Sequence, residues 1–253
     1  MPVVTTAKRF VNEERIDLIG FPPMYASPAS LASVIAKLRR HYGPQDPPPA
    51  KNAFELVVWE KVAYLANDEK RAKAFGAFRR TIGLTPTKIL AADRASLVDA
   101  LATGGIAAPD RASRLIDAAQ LVVGEFDGSL DDVCKRPLSD AKKQLMRIYG
   151  IGAPGAEKIL LFTRSYAVMG LDSNALRVLL RLGYGKEGKS YSTTYRLATS
   201  AALEELEPDI ESLIQANLLL RTHGQTVCKT TAPYCGACVI RDVCPSAKRE
   251  LRS

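Results

Sequence analysis

Four thiols crowd into seventeen residues near the C-terminal end, at Cys228, Cys235, Cys238 and Cys244, with gaps of six, two and five residues. A disulfide framework is the weaker account of them. At 253 residues the chain can bury a core without covalent staples. Its opening stretch carries Lys8, Arg9, Glu13, Glu14 and Arg15 with no apolar run, so nothing there reads as a secretory leader. A metal centre remains. Structural zinc usually takes two short Cys-x-x-Cys hooks from separate places, and only Cys235 and Cys238 form one. One loop supplying four thiolates suits a cubane iron–sulfur cluster, in which each corner iron takes one sulfur; zinc is the alternative. Cys134 stands apart and reads as a small buried apolar residue.

Hydrophobic residues make up 47% and charged residues 25%, and no apolar run reaches the length of a membrane span. A soluble, cytoplasmic protein with no membrane partner is expected. Lys and Arg exceed Asp and Glu by eight, 35 against 27, which favours a polyanionic partner through long-range attraction and counterion release. The excess is spread along the chain without a basic arm, so charge alone serves solubility equally well.

Residues 1–28 show no period, and Phe21-Pro22-Pro23 followed by Ser27-Pro28 breaks any helix, leaving an extension with no assignable role. From Ser30, the residues Leu31, Val34, Ile35 and Leu38 recur at helical spacing. Pro44 to Pro49 is a stiff extended connector. Phe54, Val57, Val58, Val62 and Leu65 recur every three to four residues and predict one helix over 54–67. Further helical patterns fall at about 69–80, 86–91, 94–101, 109–124, 128–133 and 138–149. Nothing alternates with period two, so the expected fold class is all-α, built of many short helices.

The run from Leu145 to Leu160 reads as helix, two-glycine turn, helix, with Gly150 and Gly152 in the turn. A turn without side chains lets backbone N–H groups and the next helix N-terminus approach a phosphate. It is also an ordinary tight corner. Twenty residues past Gly152 comes Leu171-Asp172-Ser173-Asn174-Ala175-Leu176-Arg177-Val178. Asp172 there reads as a helix N-cap, and a helix N-terminus keeps a carboxylate ionised.

Hairpin, aspartate and thiol loop together resemble, in order and spacing, the endonuclease III-like branch of the helix-hairpin-helix DNA glycosylases, over about residues 30–253. His223-Gly224-Gln225-Thr226-Val227-Cys228 is similar to the family's His-Gly-x-x-x-Cys, and the segment around Asp172 resembles its Val-Asp-Thr-His-x-x-Arg-Val. The resemblance implies a structural [4Fe-4S] cluster on Cys228, Cys235, Cys238 and Cys244, with His223 orienting that region. It implies a nucleoid-associated monomer acting on double-stranded DNA that contains a lesion or mispair, with Asp172 stabilising the sugar cation as a flipped base departs. It also implies two helical domains flanking a DNA-binding cleft. A hairpin-bearing barrel would occupy 52–163, and a cluster domain 29–51 plus 164–253, with 1–28 as an N-terminal extension.

The sequence departs from the pattern in two places. Family members that also cut the strand carry a lysine two residues beyond the second hairpin glycine, where this chain has Pro154, which suits a first helical turn but offers no amine. A monofunctional glycosylase without efficient Schiff-base lyase activity is therefore expected. Lys158, one turn on, reads as a phosphate contact or a solvated residue. Where the family has a glutamine that fills the gap left by the extruded nucleotide, this chain has Leu65, an apolar wedge. Glu60, five residues earlier, falls where the mismatch-adenine branch keeps its catalytic glutamate.

In an apolar pocket the pKa of Glu60 would be raised, and it would protonate a leaving purine while Asp172 stays ionised; as an exposed helix charge it would do neither. Glu60 and Tyr64 are expected on one helix face, with Asn67 and Asp68 a turn beyond. Tyr64 and Tyr149 are candidates to stack on a base, and Lys229 is a candidate phosphate contact. The rival expectation is a non-catalytic DNA-binding or damage-sensing protein that keeps the same fold.

Overall fold

The computed structural model describes residues 30–250, so the extension expected at 1–28 lies outside the described residues. The first helices are α1 (Leu31–Tyr42), α2 (Ala53–Lys61), α3 (Asp68–Thr81), α4 (Pro86–Ala91), α5 (Arg94–Ala102) and α6 (Ala108–Glu125). They are followed by α7 (Asp131–Cys134), α8 (Leu138–Leu145), α9 (Ala153–Phe162) and α10 (Ser173–Leu182). The last are α11 (Tyr191–Leu203), α12 (Ile210–Thr226) and α13 (Pro245–Glu250), with 3₁₀ turns at Cys235–Ala237 and Arg241–Val243. The protein is all-α: its only β-type pairing among the described residues is one isolated bridge, Tyr64 to Gly105. No helix among those residues is long and apolar enough to cross a membrane.

Local chemistry starts most of these helices. Ser30, Asn52, Asn67, Thr85, Asp93 and Ser190 each accept a bond from the backbone N–H three residues on, satisfying a donor the helix cannot satisfy itself. Burial then decides the packing. The helices α4 and α5 lie on α6, while α2 packs on α9 and α6. The most extensive helix pair is α10 against α12, and α1 lies across α12. Bonds between residues far apart in the chain hold α1 and its connector there: Leu31 N to Glu205 Oε2 (2.8 Å), and a reciprocal pair between Gln45 and Gln215 (3.0 and 2.8 Å).

The helix expected over 54–67 is shorter than its apolar period implies. It stops at Lys61, and the chain turns away to dock on the Thr103–Ala107 turn. Arg111 causes this. Only 4% exposed, it donates to the carbonyls of Val62 (2.6 Å), Leu101 (2.8 Å), Gly105 (3.0 Å) and Ile106 (3.0 Å), and Tyr64 N–H donates to Gly104 O (3.0 Å). Gly104 carries no Cβ because Val62 O occupies that space. Consequently Tyr64 does not share a helix face with Glu60, Asn67 is the N-cap of α3, and Leu65 takes a left-handed φ of 52°. The helix expected over 138–149 likewise ends early, at Leu145, and that expected at 128–133 forms as Asp131–Cys134.

Candidate active site

The ends of α2, α3, α9, α10 and α12 enclose a cavity of about 380 Å³, within the range of small-molecule sites. Asp172 stands at its edge as the N-cap of α10. One carboxylate oxygen, Oδ1, accepts from the N–H groups of Asn174 (3.0 Å) and Ala175 (2.9 Å), while Oδ2 receives Arg221 Nη1 and Asn174 Nδ2 (3.3 Å). The loop before it is fixed from α12, where buried Asn217 donates to the carbonyls of Met169 (2.7 Å) and Gly170 (2.9 Å).

Arg221 bridges two carboxylates, pairing with Asp172 through Nη1 and with Asp68 through Nη2 and Nε (3.1 Å). Burial pushes the Asp68 carboxyl up, but Arg221, Arg71 and the Gln225 amide outweigh it and hold Asp68 below the usual carboxylate range. Glu60 lines the same cavity and is bonded to Lys158 Nζ at 2.5 Å. Burial pushes its carboxyl up as well, yet the charge and hydrogen bond of Lys158, with Arg71 and Arg221 nearby, leave it below its ordinary value. The raised pKa expected of a glutamate in an apolar pocket is thus overturned. Lys158 does not face outward as a phosphate contact requires; its side chain is 16% exposed and lines the cavity. Arg71 donates to Trp59 O (2.7 Å) and lies 5.8 Å from the Trp59 ring centroid, and its buried Nε has no acceptor among the described residues.

A second cavity, of about 320 Å³, adjoins the far side of Glu60 and brings Tyr64 together with Gly150. Tyr64 (53% exposed), Leu65 (78%) and Tyr149 (64%) present large unburied side chains in this region, and Arg114 lies 5.2 Å from the Tyr149 ring centroid. The carbonyl of Tyr149 accepts from Lys61 Nζ (2.5 Å). Burial, with the charge of Arg114, pushes the Lys61 ammonium down to about 8. Gly150 has φ 78°, open to glycine and strained for other residues, and Gly152 caps α9 with Pro154 in the first turn.

The four thiols of Cys228, Cys235, Cys238 and Cys244 line one small cavity whose other walls include Val178, Leu182, Val227 and Ile240. Arg181 Nη1 approaches Cys228 Sγ at 3.3 Å, and His223 Nε2 lies 3.5 Å from Cys238 Sγ. His223 is fully buried with Nδ1 2.9 Å from Tyr42 Oη; burial, with the charge of His41, pushes its pKa down to about 4. Arg177 pins the loop to α10 by donating to Cys228 O (2.9 Å) and Gly224 O (2.8 Å). Lys229, half-buried in that loop, packs its ammonium 4.8 Å from the Tyr234 ring centroid. Among the described residues no three His, Cys, Asp or Glu side chains are grouped to hold a single metal ion. Cys134 is buried elsewhere, its thiol pushed up to about 11 by burial.

No family model matches the chain. It is 27% identical over 198 residues to endonuclease III of Sulfolobus acidocaldarius, covering 77% of this chain and 82% of that one. It is 26% identical to the chloroplastic endonuclease III homolog 2 of Arabidopsis thaliana, covering 81% of this chain and about half of the relative's length, 51%. Its fold superposes on that of an endonuclease III in a non-covalent DNA complex with a TM-score of 0.71 at 16% identity, covering 88% of this chain and 97% of that one. In sequence and in fold the chain is similar to endonuclease III, whose likeness supports the helix-hairpin-helix DNA glycosylase superfamily.

The hairpin read in the sequence spans α8, the turn at 150–152 and α9. Three residues of the cavity beside Asp172 escape a reading by motif: Trp59, Arg71 and Arg221. Trp59 has a faint signal as the chain's only tryptophan. Arg71 and Arg221 have none, because each pairs with groups brought close only by the fold.

Proposed function

We propose that the protein is a DNA base-excision enzyme that flips a damaged or mispaired base from duplex DNA and hydrolyses its N-glycosidic bond, acting as a monomer. The observation that carries this reading is Asp172: a carboxylate fixed by helix capping at the edge of a base-sized cavity, one helix away from the hairpin. Leu65 would enter the stack as an apolar wedge, with Tyr64 and Tyr149 beside it, while Gly150, Gly152 and Lys229 meet the backbone. Asp172 stabilises the positive charge that grows on the sugar, and water adds to the same carbon. With Pro154 at the hairpin position, the enzyme hydrolyses without efficient strand cleavage.

The likeness to endonuclease III supports two domains, 52–163 and 29–51 plus 164–253, with DNA across the cleft between them. The packing of α1 on α12 supports joining the early helix to the C-terminal third. Cys228, Cys235, Cys238 and Cys244 would hold a [4Fe-4S] cluster. Four thiols lining one cavity could supply one sulfur to each corner of such a group. Its part is structural, holding the loop that carries Lys229.

One observation favours the non-catalytic alternative: Arg221 occupies the oxygen of Asp172 that the helix cap leaves available. Single-turnover base release from a panel of lesion duplexes, scored with and without alkali, separates the two. Alkali-dependent strand breaks that vanish in Asp172→Asn are expected. DNA binding without release from any duplex would replace the enzyme with a damage sensor.

A further inference from the structure

Glu60 and Lys158 divide the chemistry of the cavity differently from what their residue types suggest. A glutamate held ionised beside an ammonium is an acceptor only, whereas a lysine ammonium has three donors, of which Glu60 takes one. The main chain of Lys158 packs against the loop that leads to Asp172. A Cβ on Gly170 would lie 2.7 Å from Lys158 N and 2.8 Å from its Cα, so only glycine lets the two segments meet there. One position earlier on α9, Glu157 accepts from Tyr195 Oη at 2.5 Å and pairs with Lys142, which anchors the helix. A sugar resting on Asp172 therefore leaves the space toward Glu60 and Lys158 for its base. Arg71 adds a buried Nε–H without an acceptor on the same lining.

We propose that Lys158 is the catalytic proton donor to the departing base and that Glu60 is its positioning residue. This rests on the glycosylase reading above and specifies its chemistry. The C1′–N bond breaks with its electron pair passing to the base nitrogen, and Lys158 Nζ passes a proton to the base anion. Water adds to C1′ and releases a proton to solvent, and the neutral amine regains one from solvent, so only water is consumed. Glu60 aims the ammonium through the bond it accepts from Nζ. The bases served are those that leave as anions and present carbonyl or ring-nitrogen acceptors, such as oxidised or deaminated pyrimidines. Cationic alkylated purines gain nothing from a donor, and here they meet Lys158, Arg71 and Arg221.

Dependence on leaving group tests this. Single-turnover release is measured for uracil, 5-fluorouracil and 5-nitrouracil opposite guanine, in order of increasing acidity, with 7-methylguanine as the cationic comparison. Lys158→Met should slow uracil release about 100-fold, progressively less for the more acidic bases, and should not slow release of 7-methylguanine, which loses a repelling charge. Lys158→Arg, which keeps a donor, should restore most of the rate, and Glu60→Gln should fall between. If Lys158→Met does not fold, the charge-free pair Glu60→Gln with Lys158→Gln gives the same comparison.

Equal slowing of every base, or no slowing, in an otherwise active enzyme overturns the assignment alone. So does a borohydride-trapped adduct that Lys158→Arg abolishes, which would make the amine a nucleophile. Wild type that leaves every pyrimidine in place while releasing purines also overturns it. Release of no base by wild type overturns the glycosylase reading as well.

Discussion

The α10–α12 pair borders two cavities that are balanced in opposite ways. Near the start of α10 the walls are charged in matched pairs, Glu60 with Lys158 and Arg221 with both Asp172 and Asp68. Toward its end, four thiols sit among Val178, Leu182, Val227 and Ile240, with Arg181 reaching one sulfur. A pair of opposite charges is self-sufficient, and losing one member strands the other. Thiolates crowded in an apolar wall are not self-sufficient, and on the proposed reading iron balances them. A change in one cavity is thus felt by the partner it strands, while the other cavity stands or falls together.

The largest effect should come from Cys238→Ser. Because metal binding contributes folding free energy directly, the variant should lose iron and its visible absorbance, and with them the ordered loop and most DNA affinity. Metal analysis and a DNA titration check this; full iron content with unchanged affinity would remove the contrast between the cavities. Asp172→Asn should split function from stability. Base release should fall on the order of 100- to 1,000-fold through loss of the charge facing the sugar, while thermal stability stays within about 1 kcal/mol because asparagine caps a helix nearly as well.

Glu60→Gln should cost about 2 kcal/mol by leaving Lys158 without its ionic partner. The pH dependence sharpens this. The folded carboxyl lies below its ordinary value, so its stabilisation is complete above the unfolded-state pKa and is lost as pH falls through the folded one. Wild type should therefore lose stability on acidification across that window, and Glu60→Gln should lack this component; identical acid limbs in denaturant titrations would contradict the pair. The smallest effect on stability belongs to Leu65→Ala, at a side chain 78% exposed and outside both cavities. Unfolding should shift by less than about 0.5 kcal/mol, while base release from duplex DNA slows and release from single strands does not.

The helices from α3 to α6 lie within a residue or two of their apolar patterns, because caps such as Asn67 and Asp93 and the 3.6-residue period act over a single turn. The end of α2 was illegible for the opposite reason. Its apolar period runs on to Leu65, but Arg111, 49 positions from Val62, captures the carbonyls that would have continued the helix. The bond that caps α10 at Asp172 is made to residues two and three places away, and the chain around it announces it. The partner on the other oxygen is 49 residues distant, and that of Glu60 is 98.

Sequence alone determined the all-α class, the order of hairpin, aspartate and thiol loop, and hence the resemblance to endonuclease III, since each depends on residues within a turn or a loop of one another. The tertiary structure decided the charge state of Glu60, the inward turn of Lys158, and the arginine across Asp172. An ionisation equilibrium answers to every charge and every lost water within several ångströms, and which charges those are is set by how the helices pack.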